Sequence, residues 1–393
     1  MSTHGSTSSK ISDRDHLQEW LREEIGRQGG LTFAEFMANC LYHPQHGYYQ
    51  SPQVRIGRQG DFFTSSSVHR VFGSLVARQL VDMWRCMGGG EFVVVEQGPG
   101  EGHLALDILD DLRQTEPEFY SELRYFLVEQ NIVSRQRQSE LLIKHQAKVD
   151  WALEDEIEPF SGCLLSNELI DAFPVHVVEV RGGELQEVFV VNSNDGFAED
   201  LRAPSTSDLQ THLDWLGCGP VEGNRAEINL EAVRWLHRIS ARLQRGFILT
   251  IDYGYPSKEL FAPQRRQGTL LCYDKHQAHY NPYQNAGCQD ITTHVYFGAL
   301  QKAGEDAGLQ TLWFGEQYRF LMGLGFVEEL MVLQAREQDP LRQRQLRLSL
   351  KNLIMPDGGM GDTFKVLVQG KGVGQPDLAC ARSISEIPLP PPM

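Results

Sequence analysis

The run Glu96-Gln97-Gly98-Pro99-Gly100-Glu101-Gly102 is the segment whose residue types and spacing speak most directly of chemistry. Glycines at alternate positions let the backbone turn sharply and bring N–H groups close to a ligand at a helix N-terminus. The dinucleotide fingerprint GxGxxG would place glycine at position 103, where this chain has His103. An acid at position 96 would repel a pyrophosphate, but beside a ligand carrying an ammonium and a sulfonium it is favourable. The pattern therefore points to S-adenosyl-L-methionine as cofactor and disfavours a nicotinamide-dependent oxidoreductase. Glu129 closes the next apolar run, Phe126-Leu127-Val128, where a carboxylate can accept hydrogen bonds from both ribose hydroxyls. Asp155 or Glu156, after the third run, is the candidate for the adenine edge.

A second cluster follows Leu164-Leu165-Ser166: Asn167, Glu168 and Asp171 place an amide and two carboxylates within five residues. In an open α/β sheet the ligand crevice lies beyond the carboxyl ends of the strands, so this loop faces the reactive end. Two carboxylates there can hold a guanidinium in plane and stabilise its charge as a nitrogen attacks a methyl group. These three are the candidate catalytic residues. His276, His279 and His294, with Asp274 and Asp290 nearby, have no metal-ligand spacing, and no metal is expected. Ser65-Ser66-Ser67 beside His69 suggests a nucleophile–base pair, but no GxSxG elbow exists in the chain.

These residues require strands and turns to position them. Short β-rich runs at Phe92–Glu96, Arg124–Glu129, Lys148–Trp151, Gly162–Ser166 and Gly246–Asp252 are mostly separated by helical segments, which predicts a parallel, doubly wound α/β sheet. Helices are expected at Leu104–Arg113 and Arg135–His145, near Ile228–Leu243, over Val295–Ala303 and along about 324–352, with a closing strand at Thr363–Gln369. Thr32 is a plausible N-cap for a helix whose stripe is Phe33, Phe36, Met37 and Leu41. A hairpin is expected around Arg181-Gly182-Gly183-Glu184. The expected organisation is a disordered tail over 1–12, a helical N-terminal lobe over 13–90 and a first core segment over 91–171. An insertion over 172–240, a second core segment over 241–371 and a Pro-rich tail over 372–393 complete it.

The 393 residues carry 36 Lys and Arg against 52 Asp and Glu, a net charge of -16 that argues against nucleic acid and suits a cationic substrate. Seven scattered cysteines without a CxxC pair are the usage of a reducing compartment. No apolar run approaches a membrane span, so no membrane insertion and a cytoplasmic location are expected.

Taken together the residues resemble the MidA-type S-adenosylmethionine-dependent methyltransferases, bacterial proteins and mitochondrial complex I assembly factors that symmetrically dimethylate an arginine. The resemblance runs from about residue 30 to 370. It is carried by Phe36-Met37, Leu41-Tyr42-His43-Pro44, Gly47-Tyr48-Tyr49, Gly60-Asp61-Phe62-Phe63-Thr64-Ser65, Glu96 to Gly102, Asn167-Glu168 and Asp171-Ala172-Phe173-Pro174-Val175. Further landmarks are Ile251-Asp252-Tyr253-Gly254, Gly268-Thr269-Leu270, Tyr273, His276 and Gln289-Asp290-Ile291-Thr292. It implies a class I, Rossmann-like methyltransferase with seven strands, a helical N-terminal lobe and an insertion after the fourth strand. It further implies that Gly98, Gly100, Gly102 and Glu129 bind the cofactor, and that Gly60, Asp61 and Thr64 form a loop over its methionine end. Asn167 and Glu168 would line the acceptor channel. The implied partner is a protein presenting an arginine, a respiratory-complex or other assembly client. The alternative is a non-catalytic assembly factor that retains the fold. The chain departs from the family pattern at Ser66, where Pro is usual, and at Tyr296, where Asp or Asn is usual; a phenol there changes charge and hydrogen bonding and bears on the acceptor.

Overall fold

The computed structural model of the chain describes residues 13–50, 69–274, 277–355 and 360–383. The expected sites Gly60, Asp61 and Thr64, the departure at Ser66, and His276 lie outside these residues, as does the expected tail over 1–12.

Seven strands make the central sheet: β1 (Phe92–Gln97), β2 (Leu123–Val128), β3 (Val149–Ala152), β4 (Phe160–Asn167), β5 (Leu243–Tyr255), β6 (Gln310–Glu316) and β7 (Phe364–Lys371). Their order is β6-β7-β5-β4-β1-β2-β3, and the two-residue strand Val295–Tyr296 adds to the end of β5. Strands β1 to β5 run parallel, whereas β7 runs antiparallel to both β5 and β6. A parallel sheet is covered on both faces, which is why Val93-Val94-Val95 and Leu164-Leu165 read as unbroken apolar runs.

Helices α1 (Asp13–Gln28) and α2 (Phe33–Tyr42) precede the sheet; α3 (Val71–Cys86) and α4 (His103–Thr115) cover one face of it. Leu75, Leu80, Ile108 and Leu112 pack there against Phe92, Val94 and Leu165. Helix α5 (Ile132–Leu141) follows β2. Helices α6 (Leu230–Arg242) and α7 (Phe297–Asp306) cover the other face, where Trp235, Leu236, Phe297 and Leu300 meet Val95, Leu164 and Ile248. The doubly wound α/β architecture is thus the one expected.

The elements differ from expectation in detail. The Arg181–Glu184 hairpin forms between strands His176–Arg181 and Glu184–Ser193, but two more strands, Gly196–Arg202 and Arg225–Ile228, extend it into an antiparallel sheet. Leu31–Thr32 adds to the same sheet opposite Phe189 and Val190. The N-terminal lobe is therefore not wholly helical: it shares a sheet and a core of Phe33, Phe36, Val175, Val177 and Val188 with the insertion. Helix α6 packs on the central sheet rather than with those strands. The stretch over 324–352 is not one helix, because Asp339 caps a new helix at Pro340, where φ is fixed and no N–H is needed. Strand β6 is a half-buried edge strand with no clear alternation, which hid it in the sequence. In the expected Pro-rich tail, Leu378 and Cys380 are buried and Ala379 N–H donates to Asp82 Oδ2 at 2.9 Å.

Candidate functional site

At the carboxyl ends of β1, β2 and β4 lies a cavity of about 400 Å³, the size of a small-molecule site. Its wall includes Glu96, Gly98, Gly100, Glu129, Asn167, Glu168 and Asp171, so the structure brings the two sequence clusters to one place. Tyr42, Tyr49, Phe173 and Asp290 also reach it, from the N-terminal lobe and from segments beyond the core strands. Gly102 stands behind the wall as the N-cap of α4.

The glycine loop has its geometric reasons. Gly98, Gly100 and Gly102 all take positive φ, 71°, 55° and 84°. A Cβ on Gly98 would lie 2.9 Å from Leu169 Cδ1, so a side chain there would press the glycine loop and the loop after β4 apart. A Cβ on Gly102 would lie 3.2 Å from Gln138 Cγ. Gln138, fully buried on α5, donates to Gly100 O at 2.7 Å and to Glu129 Oε2 at 3.2 Å, and accepts from Trp151 Nε1 at 2.8 Å. It therefore fixes the glycine loop, Glu129 and β3 relative to one another. The sequence offered no sign of it, because a glutamine on a polar helix carries no pattern of its own.

Glu129 also accepts from Asn131 N at 2.8 Å, and burial raises its carboxyl above the ordinary value while those bonds oppose the shift. Asn131 caps α5 and donates to Tyr49 O at 3.1 Å, tying the N-terminal lobe to this corner. Glu96 is buried, accepts from Tyr125 OH at 2.7 Å, and is pushed up to about 7 by burial. Of the acids after β3, Glu154 faces this cavity. Asp155 lines a neighbouring apolar crevice, and Glu156 turns back to accept from Leu153 N at 2.7 Å.

The loop after β4 is held in an unusual way. Glu168 has φ 52°, and it is the one non-glycine residue with positive φ among the described residues. Left-handed backbone is costly for a side-chain-bearing residue and persists where surrounding contacts impose it. Those contacts come from Asp252 in β5, a buried carboxylate whose Oδ2 accepts from the backbone N–H groups of Leu169 at 3.2 Å, Ile170 at 2.9 Å and Asp171 at 3.4 Å. Glu168 N–H itself donates to Ile251 O at 2.9 Å. Burial, then the neighbouring Asp171 and Glu168, hold the Asp252 carboxyl well above its ordinary value. Asp171 accepts from Tyr253 OH and is pushed up to about 6 by burial. Asp171 Oδ1 and Asn167 Oδ1 are buried acceptors without a hydrogen-bond partner.

Electrostatics sort the occupants. Eight carboxylates line the cavity (Glu96, Glu101, Glu129, Glu154, Glu168, Asp171, Glu231, Asp290) against two arginines. Arg137 is engaged by Glu101 at 3.3 Å, and Arg238 by Glu154 at 2.6 Å and Glu231 at 2.8 Å. A site so short of positive charge favours a cationic ligand. S-adenosyl-L-methionine, with its ammonium and sulfonium, suits this charge balance, and the unpartnered Asn167 and Asp171 oxygens are acceptors open to a donor.

Tyr296 lies outside this wall, with its OH 2.8 Å from Cys218 Sγ and its ring edge-on to Phe261 at 5.2 Å, in the core between the insertion and α7. His294 is half-buried beside Tyr253 and Tyr255, and desolvation pushes its imidazole down to about 4.

Comparison with known proteins agrees with this geometry. A family model described as S-adenosyl-L-methionine-dependent methyltransferase matches residues 75–315. A solved structure from Burkholderia thailandensis, bound to S-adenosyl-homocysteine, superposes with a TM-score of 0.86 at 31% identity, covering 97% of this chain and 98% of that one. The Drosophila melanogaster protein named protein arginine methyltransferase NDUFAF7 homolog, mitochondrial, is 31% identical over 93% of this chain and 87% of its own length. The Homo sapiens protein named protein arginine methyltransferase NDUFAF7, mitochondrial, is 26% identical over 88% of this chain and 81% of its own. These names correct the expected cytoplasmic location, since both relatives are called mitochondrial.

Proposed function

This chain belongs to the S-adenosyl-L-methionine-dependent methyltransferase family, and from that premise we propose that it transfers the methyl group to an arginine side chain of a protein partner. The observation that carries the acceptor is the acidic end of the cavity, where Glu168 and Asp171 stand beside the orphaned oxygen of Asn167. A guanidinium supplies both a positive charge and a plane of N–H donors, which two neighbouring carboxylates and an amide oxygen favour over a neutral acceptor. The names of the fly and human relatives carry the same acceptor.

Gly98, Gly100, Gly102, Glu96 and Glu129 form the cofactor side in this reading; Asn167, Glu168 and Asp171 form the acceptor side. Gly60, Asp61 and Thr64 are proposed to act at the methionine end. When bound, S-adenosyl-L-methionine supplies a methyl group activated on a sulfonium. The protein's own work is alignment, because an in-line displacement depends on holding the attacking nitrogen in register. Asn167 Oδ1 and Glu168 orient the guanidinium, and Asp171 Oδ1, free of hydrogen bonds, takes the proton that the attacking nitrogen gives up. The test is Glu168→Gln: transfer is expected to vanish while S-adenosyl-homocysteine affinity stays nearly intact, and unchanged turnover would remove Glu168 from the mechanism.

A further inference from the structure

We propose that Asp171 and Asp290 are the two sides of a clamp for a planar cation, walled by Tyr42 and Tyr49, and that Asp290 sets the preference for a guanidinium over an ammonium. The inference rests on the arginine reading above and specifies how that site chooses its substrate.

The two acids come from segments far apart in sequence. Asp171 ends the loop after β4, and Asp290 begins the short strand Asp290–Thr292. A backbone bond from Thr293 N–H to Asp171 O, 2.9 Å, joins these segments, and both side chains reach the same cavity. Both residues are at least 95% buried, at 5% and 1% exposure. Tyr49 OH donates to Asp290 Oδ1 at 2.9 Å, and Tyr42 OH donates to Ala172 O at 2.9 Å. The two rings lie 5.4 Å apart, tilted by 32°. Burial first, then the field of Asp290 and, more weakly, that of Asp171, raise both tyrosine hydroxyls.

Each tyrosine hydroxyl is thus spent on the frame, which leaves the rings as an aromatic wall. On one side Asp171 Oδ1 and Asn167 Oδ1 are buried acceptors lacking any donor. A guanidinium offers five N–H groups in one plane, can bridge two carboxylates edge to edge, and stacks on aromatic faces. An ammonium is a compact, strongly hydrated charge that cannot span the two acids in one plane and loses more on leaving water.

The experiment is calorimetry in the presence of S-adenosyl-homocysteine, with Nα-acetyl-arginine amide and Nα-acetyl-lysine amide as probes. Wild type is expected to bind the arginine probe at least tenfold more tightly than the lysine probe. Asp290→Asn should weaken the arginine probe by about tenfold or more, the scale of one charge-assisted hydrogen bond, with S-adenosyl-homocysteine affinity within about twofold of wild type. Tyr49→Phe keeps the ring, removes the hydroxyl that orients Asp290, and is expected to weaken the arginine probe while melting as wild type does; it decides the matter if Asp290→Asn fails to fold. Arginine-probe binding unchanged in these variants, or equal binding of both probes by wild type, would overturn the clamp alone. Wild type that binds S-adenosyl-homocysteine but neither probe would overturn the arginine reading and the clamp with it.

Discussion

Asp252 accepts the backbone N–H of Ile170 at 2.9 Å, and through that bond and its two neighbours a buried carboxylate in β5 holds the loop that presents Glu168. Asp252 does not itself line the cavity, yet three consecutive N–H groups of the loop that does converge on one of its oxygens. It is a positioning residue. Asp252→Asn is expected to turn an N–H₂ toward donors or leave them unpaired, at a cost of about 1–3 kcal/mol. A calorimetric or denaturant melt should show that loss, and turnover should fall at least about tenfold with a much smaller change in S-adenosyl-homocysteine affinity. Equal loss of binding and turnover would speak for general unfolding instead.

Glu168 holds φ 52° at a cost that a glycine would not bear. Glu168→Gly is therefore expected to keep or raise stability, by up to about 1 kcal/mol, while transfer disappears. A melting temperature at or above wild type with no detectable turnover is the expected pair of results. A destabilised Glu168→Gly protein would mean that the side chain, not the loop's frame, supports the conformation.

Glu96 is expected to make ligand binding in this cavity sensitive to pH. Burial raises its carboxyl to about 7 in the free protein, and a cation nearby favours the ionised form and lowers that value on binding. Below about 7 the ligand must displace a proton, so S-adenosyl-homocysteine affinity should rise with pH, by at most about tenfold per unit, and level off above it. Titrations between pH 5.5 and 8.5 test this; the Glu96→Gln protein should lose most of that rise. A profile that falls with pH would be incompatible with an ionised Glu96 beside the ligand's ammonium.

Gln138 links the glycine loop, Glu129 and Trp151 by three hydrogen bonds. Gln138→Leu keeps much of the volume but leaves Trp151 Nε1 and Gly100 O without their partners. We expect a loss of about 2 kcal/mol in stability and roughly tenfold weaker S-adenosyl-homocysteine binding. An unchanged dissociation constant would show that the glycine loop keeps its shape without this brace.

Local patterns were legible where a short run of residues dictates its own backbone. The glycine loop follows from φ alone, and Thr32 was readable as an N-cap, which the structure completes as a capping box with Glu35. The parallel sheet was readable because strands buried on both faces are apolar without interruption. Gln138, Asp252 and Asp290 were not assigned roles, because each acts through partners 38, 82 and 241 residues away that no local spacing encodes. The N-terminal strand Leu31–Thr32 escaped for the same reason: two residues become a strand only against Phe189 and Val190. Tyr296 stood out as a change of residue type, yet its phenol packs with Cys218 and Phe261 and not at the cavity wall.

The central claim is that the acidic end of this cavity directs a methyl group onto arginine nitrogen. The most direct measurement supplies S-adenosyl-L-methionine bearing a deuterated methyl group to extracts of cells lacking this protein, adds purified wild-type or Glu168→Gln protein, and maps the label by mass spectrometry. The account predicts deuterated methyl on arginine side chains with wild type and none with Glu168→Gln. Label confined to other residues, or equal labelling of arginine by both proteins, would contradict it.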